Sequence, residues 1–328
     1  MGDALGAPVE FMSLPDIRRR FGPEGIQHFA PAYGRLGAIT DDTQMTLFTT
    51  EGLIRARQRS RDRGICNPAM VIWHAYLRWL GTQGVQRFDP EFPAQHDGWL
   101  YQQEELHSRR GPGNTCLSAL GSGEFGTTDR PVNDSKGCGG IMRVAPVGLT
   151  AREPFQLGCK AAAITHGHPT GYLAAGFLAQ LIATIASGHD LEAAIASARS
   201  ELRKWAQHEE CLAAVDAALD QASSANATPE AVEHLGEGWV AEEALAVSLF
   251  CALKARDFAH GVQLAANHSG DSDSTGAITG SILGCICGRS GIPLEFLANL
   301  ELREVIEELG ADLCGTGAGD DYMRYPPW

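Results

Sequence analysis

The sequence predicts an all-α protein built as one domain, and three observations carry that reading. Segments 172–187, 190–207, 209–223 and 239–256 are rich in Ala and Leu, with apolar residues recurring at a period near 3.6. Helix-start signals recur along the chain, each a capping side chain followed by proline. No stretch shows period-two alternation flanked by hairpin turns, so a sheet is not expected.

In chain order, "GDALGAPVEF" (2–11) is a Gly-rich turn bracketed by Asp3 and Glu10. "GAITDDTQMTLF" (37–48) sets Thr40, Asp41 and Asp42 directly before a helical pattern whose inward face includes Met45, Phe48 and Leu53. In "NPAMVIWHAYLRWL" (67–80), Asn67 is the expected N-cap and Pro68 the first helical residue, with Met70, Trp73, Leu77 and Leu80 on one face. "TPEAVEHLG" (228–236) repeats this logic, with Thr228 as cap and Gly236 as stop. Gly- and Pro-rich connections fall near 22–39, 84–98, 108–140 and 310–328, and the second and third are long enough to expect function in them. Residues 1–310 are read as the domain and 311–328 as a C-terminal tail, with "GTGAGDDYMRYPPW" expected to be loosely ordered.

Composition narrows the functional classes. The 328 residues carry a formal net charge of −14, which argues against a cationic track along nucleic acid. It leaves room for a nucleotide-like small molecule in a local pocket. Nine cysteines lie scattered without a framework, and Cys285 with Cys287 lacks the second half of a zinc site, so reduced thiols are expected. No signal peptide is evident, and the apolar run "AITGSILGCIC" (277–287) is far below the ~20 residues that span a bilayer. The reading is a cytoplasmic monomer without membrane or nucleic-acid partners.

The chemistry concentrates in "HSGDSDSTGAITGSILG" (268–284). Asp271 and Asp273 sit in a Ser/Gly-rich loop, and Ser274 or Thr275 is expected to cap the helix that follows. Gly276, Gly280 and Gly284 recur every four residues and leave a smooth face that another helix can approach. Two carboxylates on one loop repel unless solvated, protonated or bridged by a cation, and oxygen ligands suit Mg²⁺ or Mn²⁺. The plain alternative is one capping Asp beside a solvated neighbour. The Thr40–Asp42 cluster repeats the arrangement more than 200 residues away, and no EF-hand loop is present. Two such half-sites point to ligands converging from two helices onto one or two cations.

Taken together, "GDALGAPVEF", "TDDTQM", "GNT" (113–115), "GCGGIMRVAPVGL" (137–149), "ITHGHP" (164–169), "GWVAEEALA" (238–246) and "GDSDST" (270–275) resemble the ADP-ribosylglycohydrolases. The resemblance is to the branch of dinitrogenase-reductase-activating glycohydrolases and ADP-ribosylarginine hydrolases, and it runs from residue 2 to about residue 290. It implies a compact orthogonal helical bundle with two Mg²⁺ or Mn²⁺ ions at the base of an ADP-ribose cleft. The metal ligands it implies are Thr40, Asp41, Asp42, Asp271, Asp273 and Ser274, with Thr275 as the fallback for the last. Glu10 matches a glutamate that closes over the metals, and Asp41 or Asp42 is the implied general base. Asn114 and His168 match positions lining the cleft. Gly137, Gly139 and Gly140 would let backbone N–H groups approach the pyrophosphate, and Trp239 would stack on adenine.

Two departures stand out. Relatives usually carry an apolar helical stretch before the first motif, whereas this sequence starts at Met1, either through a late start or a shortened helix. The segment "RRGPGNT" has Gly111 and Pro112 where reductase-activating enzymes place an aspartate close before the glycine. The expectation is a metal-dependent hydrolase removing ADP-ribose from arginine side chains of a protein substrate. Hydrolysis of an O-linked serine or acetyl-ester conjugate, or non-catalytic binding of ADP-ribosylated partners, are the alternatives.

Overall fold

The helix starts behave as the sequence chemistry dictates. In the computed structural model, which describes residues 1–85, 97–317 and 322–327, the Asn67 side chain accepts a hydrogen bond from the Met70 N–H, and Pro68 opens the Pro68–Thr82 helix. Thr228 does the same for Ala231, although that helix closes at Glu233, before Gly236. The four Ala/Leu segments form the helices Pro169–Ala186, Leu191–Leu202, Glu209–Ser224 and Ala241–Lys254. Sixteen α-helices are present among the described residues, and the one sheet among them is a two-stranded antiparallel ribbon, Pro31–Ala32 with Arg35–Leu36. The fold is all-α. The expected connection at 84–98 lies mostly outside the described residues.

Pro169–Ala186 is the central helix, apolar around its whole circumference, and its Leu173, Phe177, Leu178 and Leu181 are fully buried. By length and composition it could cross a membrane, and it is a longer apolar run than the 277–287 stretch singled out above. Two thirds of it (67%) is buried inside the fold, which is how a core helix satisfies the same criterion.

Two contacts position the site. The Gly2–Gly6 helix lies directly on the Ser272–Cys287 helix, where a β-carbon on Gly6 would fall 2.2 Å from the Ser272 carbonyl oxygen. The expected smooth face does accept a helix, but only at its first part, because Gly284 faces open space. The cap of Ser272–Cys287 corrects the sequence reading. Asp271 is the N-cap, accepting from the Ser274 N–H at 3.3 Å, and residues 274 and 275 lie inside the first turn. A carboxylate suits that place because four unpaired N–H groups and the helix dipole converge there.

The described part of the tail is docked rather than loose. Tyr325 is 1% exposed and donates to Asp312 at 2.7 Å, and the Arg324 guanidinium lies 4.1 Å from the Trp99 ring centre. The Pro326 carbonyl accepts from Arg55, which belongs to a buried ion cluster with Glu51 and Arg78. An aromatic ring with a partnered hydroxyl gains enough by burial to order such a segment.

Candidate active site

Two helix N-termini and one turn bring the acids together. Thr40 caps the Asp41–Arg63 helix through the Asp42 N–H, while Asp271 caps Ser272–Cys287, so both acidic pairs lie where helix dipoles favour negative charge. Glu10 arrives from the turn after the Gly2–Gly6 helix. One oxygen from each of Glu10, Asp271 and Asp273 lies within 4.8 Å of the others. Asp3 is the brace of this arrangement. It is 1% exposed and accepts from the Thr40 and Thr43 backbone N–H groups, each at 3.1 Å, and from the Thr43 hydroxyl.

These carboxylates form one end of a cavity of about 340 Å³. Its lining includes Glu10, Asp41, Asp42, Asn114, Gly137, Gly139, Trp239, Asp271, Asp273 and Ser274, and no Lys or Arg among the described residues. Burial and mutual repulsion therefore dominate the electrostatics. Glu10 is pushed up to about 8 by burial, then by Asp271 and Asp3. Asp41 is raised by burial and by Asp3 and Glu10, against a hydrogen bond from the Gly113 backbone. Asp42 is raised by burial, Asp41 and Asp3. Burial also raises Asp271 and, with Asp42 and Asp271 added, Asp273. Asp42 Oδ1 is buried with no hydrogen-bond partner. A cluster in this state must hold protons or a cation at neutral pH.

The hydroxyl candidates separate. Ser274 lines the cavity, whereas Thr275 turns its hydroxyl to the Asp271 and Ala265 carbonyls, each 2.8 Å away. Thr40 is fully buried behind the wall, its hydroxyl 3.4 Å from Asp42 Oδ2.

At the other end, Gly137 and Gly139 face the cavity, while Gly140 is packed on Ala162 and does not line it. The two histidines exchange places relative to the expectation. His168 is the N-cap of Pro169–Ala186, its Nδ1 accepting from the Thr170 N–H at 3.2 Å, and it is not part of the lining. His166, 2% exposed, lines the cavity instead. The Thr165 hydroxyl accepts from Arg143 at 2.6 Å, which leaves its own proton free for His166 Nδ1, 2.8 Å away. With that hydroxyl as donor, the proton of His166 sits on Nε2, the nitrogen beside Gly137 and Gly139. Burial and Arg143 push its pKa down to about 3, so the ring is neutral.

At the mouth, Trp239 stacks on Phe11 with centroids 5.7 Å apart and planes 17° from parallel. Phe11 is 77% exposed and Trp239 38%, so the pair presents apolar surface to solvent. Cys138 also lines the cavity, its thiol donating to Asp271 Oδ2 at 2.7 Å, and the sequence expectation assigned none of Phe11, Cys138 or His166 to the cleft. The available signals were a phenylalanine next to Glu10 and the rule that a residue just before a helix-opening proline caps it, which assigns His168 to the cap.

The fold agrees with similarity to known proteins. Residues 1–321 match the ADP-ribosylglycohydrolase family, and the chain belongs to it. The ADP-ribosyl-[dinitrogen reductase] glycohydrolase of Rhodospirillum rubrum is 25% identical, with 97% of this chain and 93% of that protein covered. The ADP-ribosylarginine hydrolase Tri1 of Pseudomonas putida is 24% identical over 95% of this chain and 75% of its own length. A solved structure described as an ADP-ribosylglycohydrolase-related protein complex matches with a TM-score of 0.67 and 26% identity, covering 96% of this chain and 93% of that one.

Proposed function

We propose that the protein hydrolyses the α-N-glycosidic bond between ADP-ribose and an arginine side chain, with two divalent cations, Mg²⁺ or Mn²⁺, in the acidic end of the cavity. The observation that carries this reading is the convergence of buried carboxylates on a volume without basic residues, with Asp42 Oδ1 left unpartnered. An all-oxygen donor set of carboxylates and hydroxyls suits hard cations. Asp41, Asp42, Asp271 and Asp273 would hold them, helped by Ser274, with Glu10 closing the third side and Thr40, hydrogen-bonded to Asp42 from behind the wall, steadying that carboxylate. When bound, the cations supply positive charge and Lewis acidity at the ribose.

The remaining work falls to the chain. Asp41 or Asp42 takes the proton of the attacking water, whose oxygen becomes the new hydroxyl on the anomeric carbon. The C–N bond breaks with its electron pair kept on nitrogen, and the proton taken from water passes to the departing guanidine, which leaves as the arginine guanidinium. The Gly139 backbone N–H, with Nε2–H of His166, offers neutral donors to the pyrophosphate where the lining holds no Lys or Arg, while the Gly137 N–H is held by Ser135 Oγ. Asn114 is a further donor on the same wall. The Phe11–Trp239 pair offers an aromatic surface to adenine. Low dielectric inside the cavity strengthens each of these contacts.

The test is release of ADP-ribose from an arginine-ADP-ribosylated protein with Mg²⁺, with Mn²⁺ and with EDTA, alongside Asp271→Ala/Asp273→Ala. Metal-dependent release that the double variant loses is expected. Tight ADP-ribose binding without release from arginine would overturn the arginine reading in favour of an O-linked conjugate or a binding protein.

A further inference from the structure

The turn of the small β-ribbon carries a strained tyrosine. Tyr33 and Gly34 connect Pro31–Ala32 to Arg35–Leu36, and their φ angles are +49° and +81°. A type I′ hairpin turn needs positive φ at both places, which Gly, Asn and Asp adopt readily and tyrosine does not. Backbone strain held at one residue is a sign to look for what its side chain does.

The Tyr33 hydroxyl reaches the mouth of the acidic cluster. An atom in the β-carbon position of Gly111 would lie 3.0 Å from Tyr33 Oη, 3.8 Å from Asp41 Oδ1 and 3.8 Å from Glu10 Oε2. Three oxygens therefore face one small volume, and Gly111, with φ of +75°, leaves it free of side chain. Tyr33 is 43% exposed, and Gly111, which its hydroxyl approaches, lines the cavity that holds the carboxylates.

The ring has a structural use of its own, since the Arg110 guanidinium lies 5.2 Å from its centre. Phenylalanine would serve that contact equally, so it does not account for the hydroxyl. A phenol with carboxylates on one side turns its O–H toward them and its lone pairs away. Such a rim accepts hydrogen bonds. A guanidinium has only N–H donors and a positive charge, whereas an ester or serine oxygen brings acceptors and no charge.

We infer that Tyr33 is a specificity-determining residue: its hydroxyl, with the space at Gly111, receives the guanidinium of the departing arginine and favours that leaving group over uncharged, O-linked ones. The inference rests on the proposed hydrolase reading.

Its test compares wild type, Tyr33→Phe and Tyr33→Asn on ADP-ribosyl-arginine and on an O-linked ADP-ribose conjugate, together with the affinity for free ADP-ribose. For Tyr33→Phe, kcat/KM on the arginine substrate is expected to fall about tenfold, the loss of one hydrogen bond to a charged group. The O-linked rate and the ADP-ribose affinity are expected to stay within about twofold of wild type. Tyr33→Asn, which tolerates the left-handed backbone, is expected to match or exceed wild type in Tm while losing the same preference. Equal losses on both substrates, or none, would overturn the role of Tyr33 while leaving the hydrolase reading intact. Failure of wild type to act on the arginine substrate would overturn both together.

Discussion

Gly2 lies so close to Gly276 that a β-carbon on Gly2 would stand 1.8 Å from the Gly276 carbonyl oxygen. The approach is backbone against backbone, so no side-chain movement can relieve an added methyl. It also sets where the following turn delivers Glu10 relative to Asp271 and Asp273.

Gly276→Ala should therefore damage fold and site together. Its β-carbon would meet the Gly2 carbonyl at 2.5 Å, and overpacking of this kind costs about 1–3 kcal/mol. Gly284→Ala, eight residues on in the same helix and facing open space, should instead gain up to about 1 kcal/mol from helix propensity. Denaturant melts of the two variants check the contrast. A neutral Gly276→Ala would show that the two helices do not pack this closely.

The acidic cluster makes a pH prediction with a defined sign. Carboxyls whose folded pKa is raised bind more protons in the folded than in the unfolded state, so stability is lost as pH rises between the two values. For Glu10 the window runs from its ordinary value of 4.5 to about 8, and Asp41, Asp42, Asp271 and Asp273 act in the same direction. His166 and His268, pushed down to about 3 and about 4, act the opposite way below their ordinary 6.5. Comparing Tm in EDTA with Tm in Mg²⁺ at each pH separates the two, because only the carboxylates answer to the cation. The Mg²⁺ gain should grow from pH 5 to pH 8. Asp273→Asn should raise Tm in EDTA at pH 8 and abolish the gain. A Mg²⁺ effect independent of pH would argue against these carboxylates as the cation's ligands.

The Arg143–Thr165–His166 chain predicts a tautomer. Wild-type His166 should carry its proton on Nε2 from pH 5 to pH 8, as read by imidazole ¹⁵N shifts. Thr165→Val breaks the relay, leaves buried polar groups without their partner and should cost about 1–3 kcal/mol. The same variant should shift His166 toward a mixture of tautomers and lower kcat/KM for ADP-ribose release. An Nδ1–H signal in wild type would reverse the donor order drawn here.

Helical segments were legible because their information is local: capping Asn67 and Thr228, prolines at first positions, and apolar residues at period 3.6 in 172–187 and 239–256. The paired acids at 41–42 and 271–273 were legible as helix-entrance clusters for the same reason. Ser274 and Thr275 were not separable in advance. Adjacent hydroxyls in one helical turn differ by about 100° in direction, and only the position of the Ala265 carbonyl decides which of them turns inward. The docked tail was missed because Tyr325 and Pro326 gain their stability from Asp312 and Arg55, partners that no local pattern announces.

The sequence alone determined an all-α chain, its family resemblance and the residue types able to hold hard cations, since periodicity, caps and motif order are properties of neighbouring residues. Tertiary structure decided which groups meet: Glu10 with Asp271 and Asp273, His166 rather than His168 on the cleft wall, and Tyr33 beside Gly111. Those meetings depend on how closely separate helices approach, and that distance is set by backbone contacts such as Gly2 on Gly276.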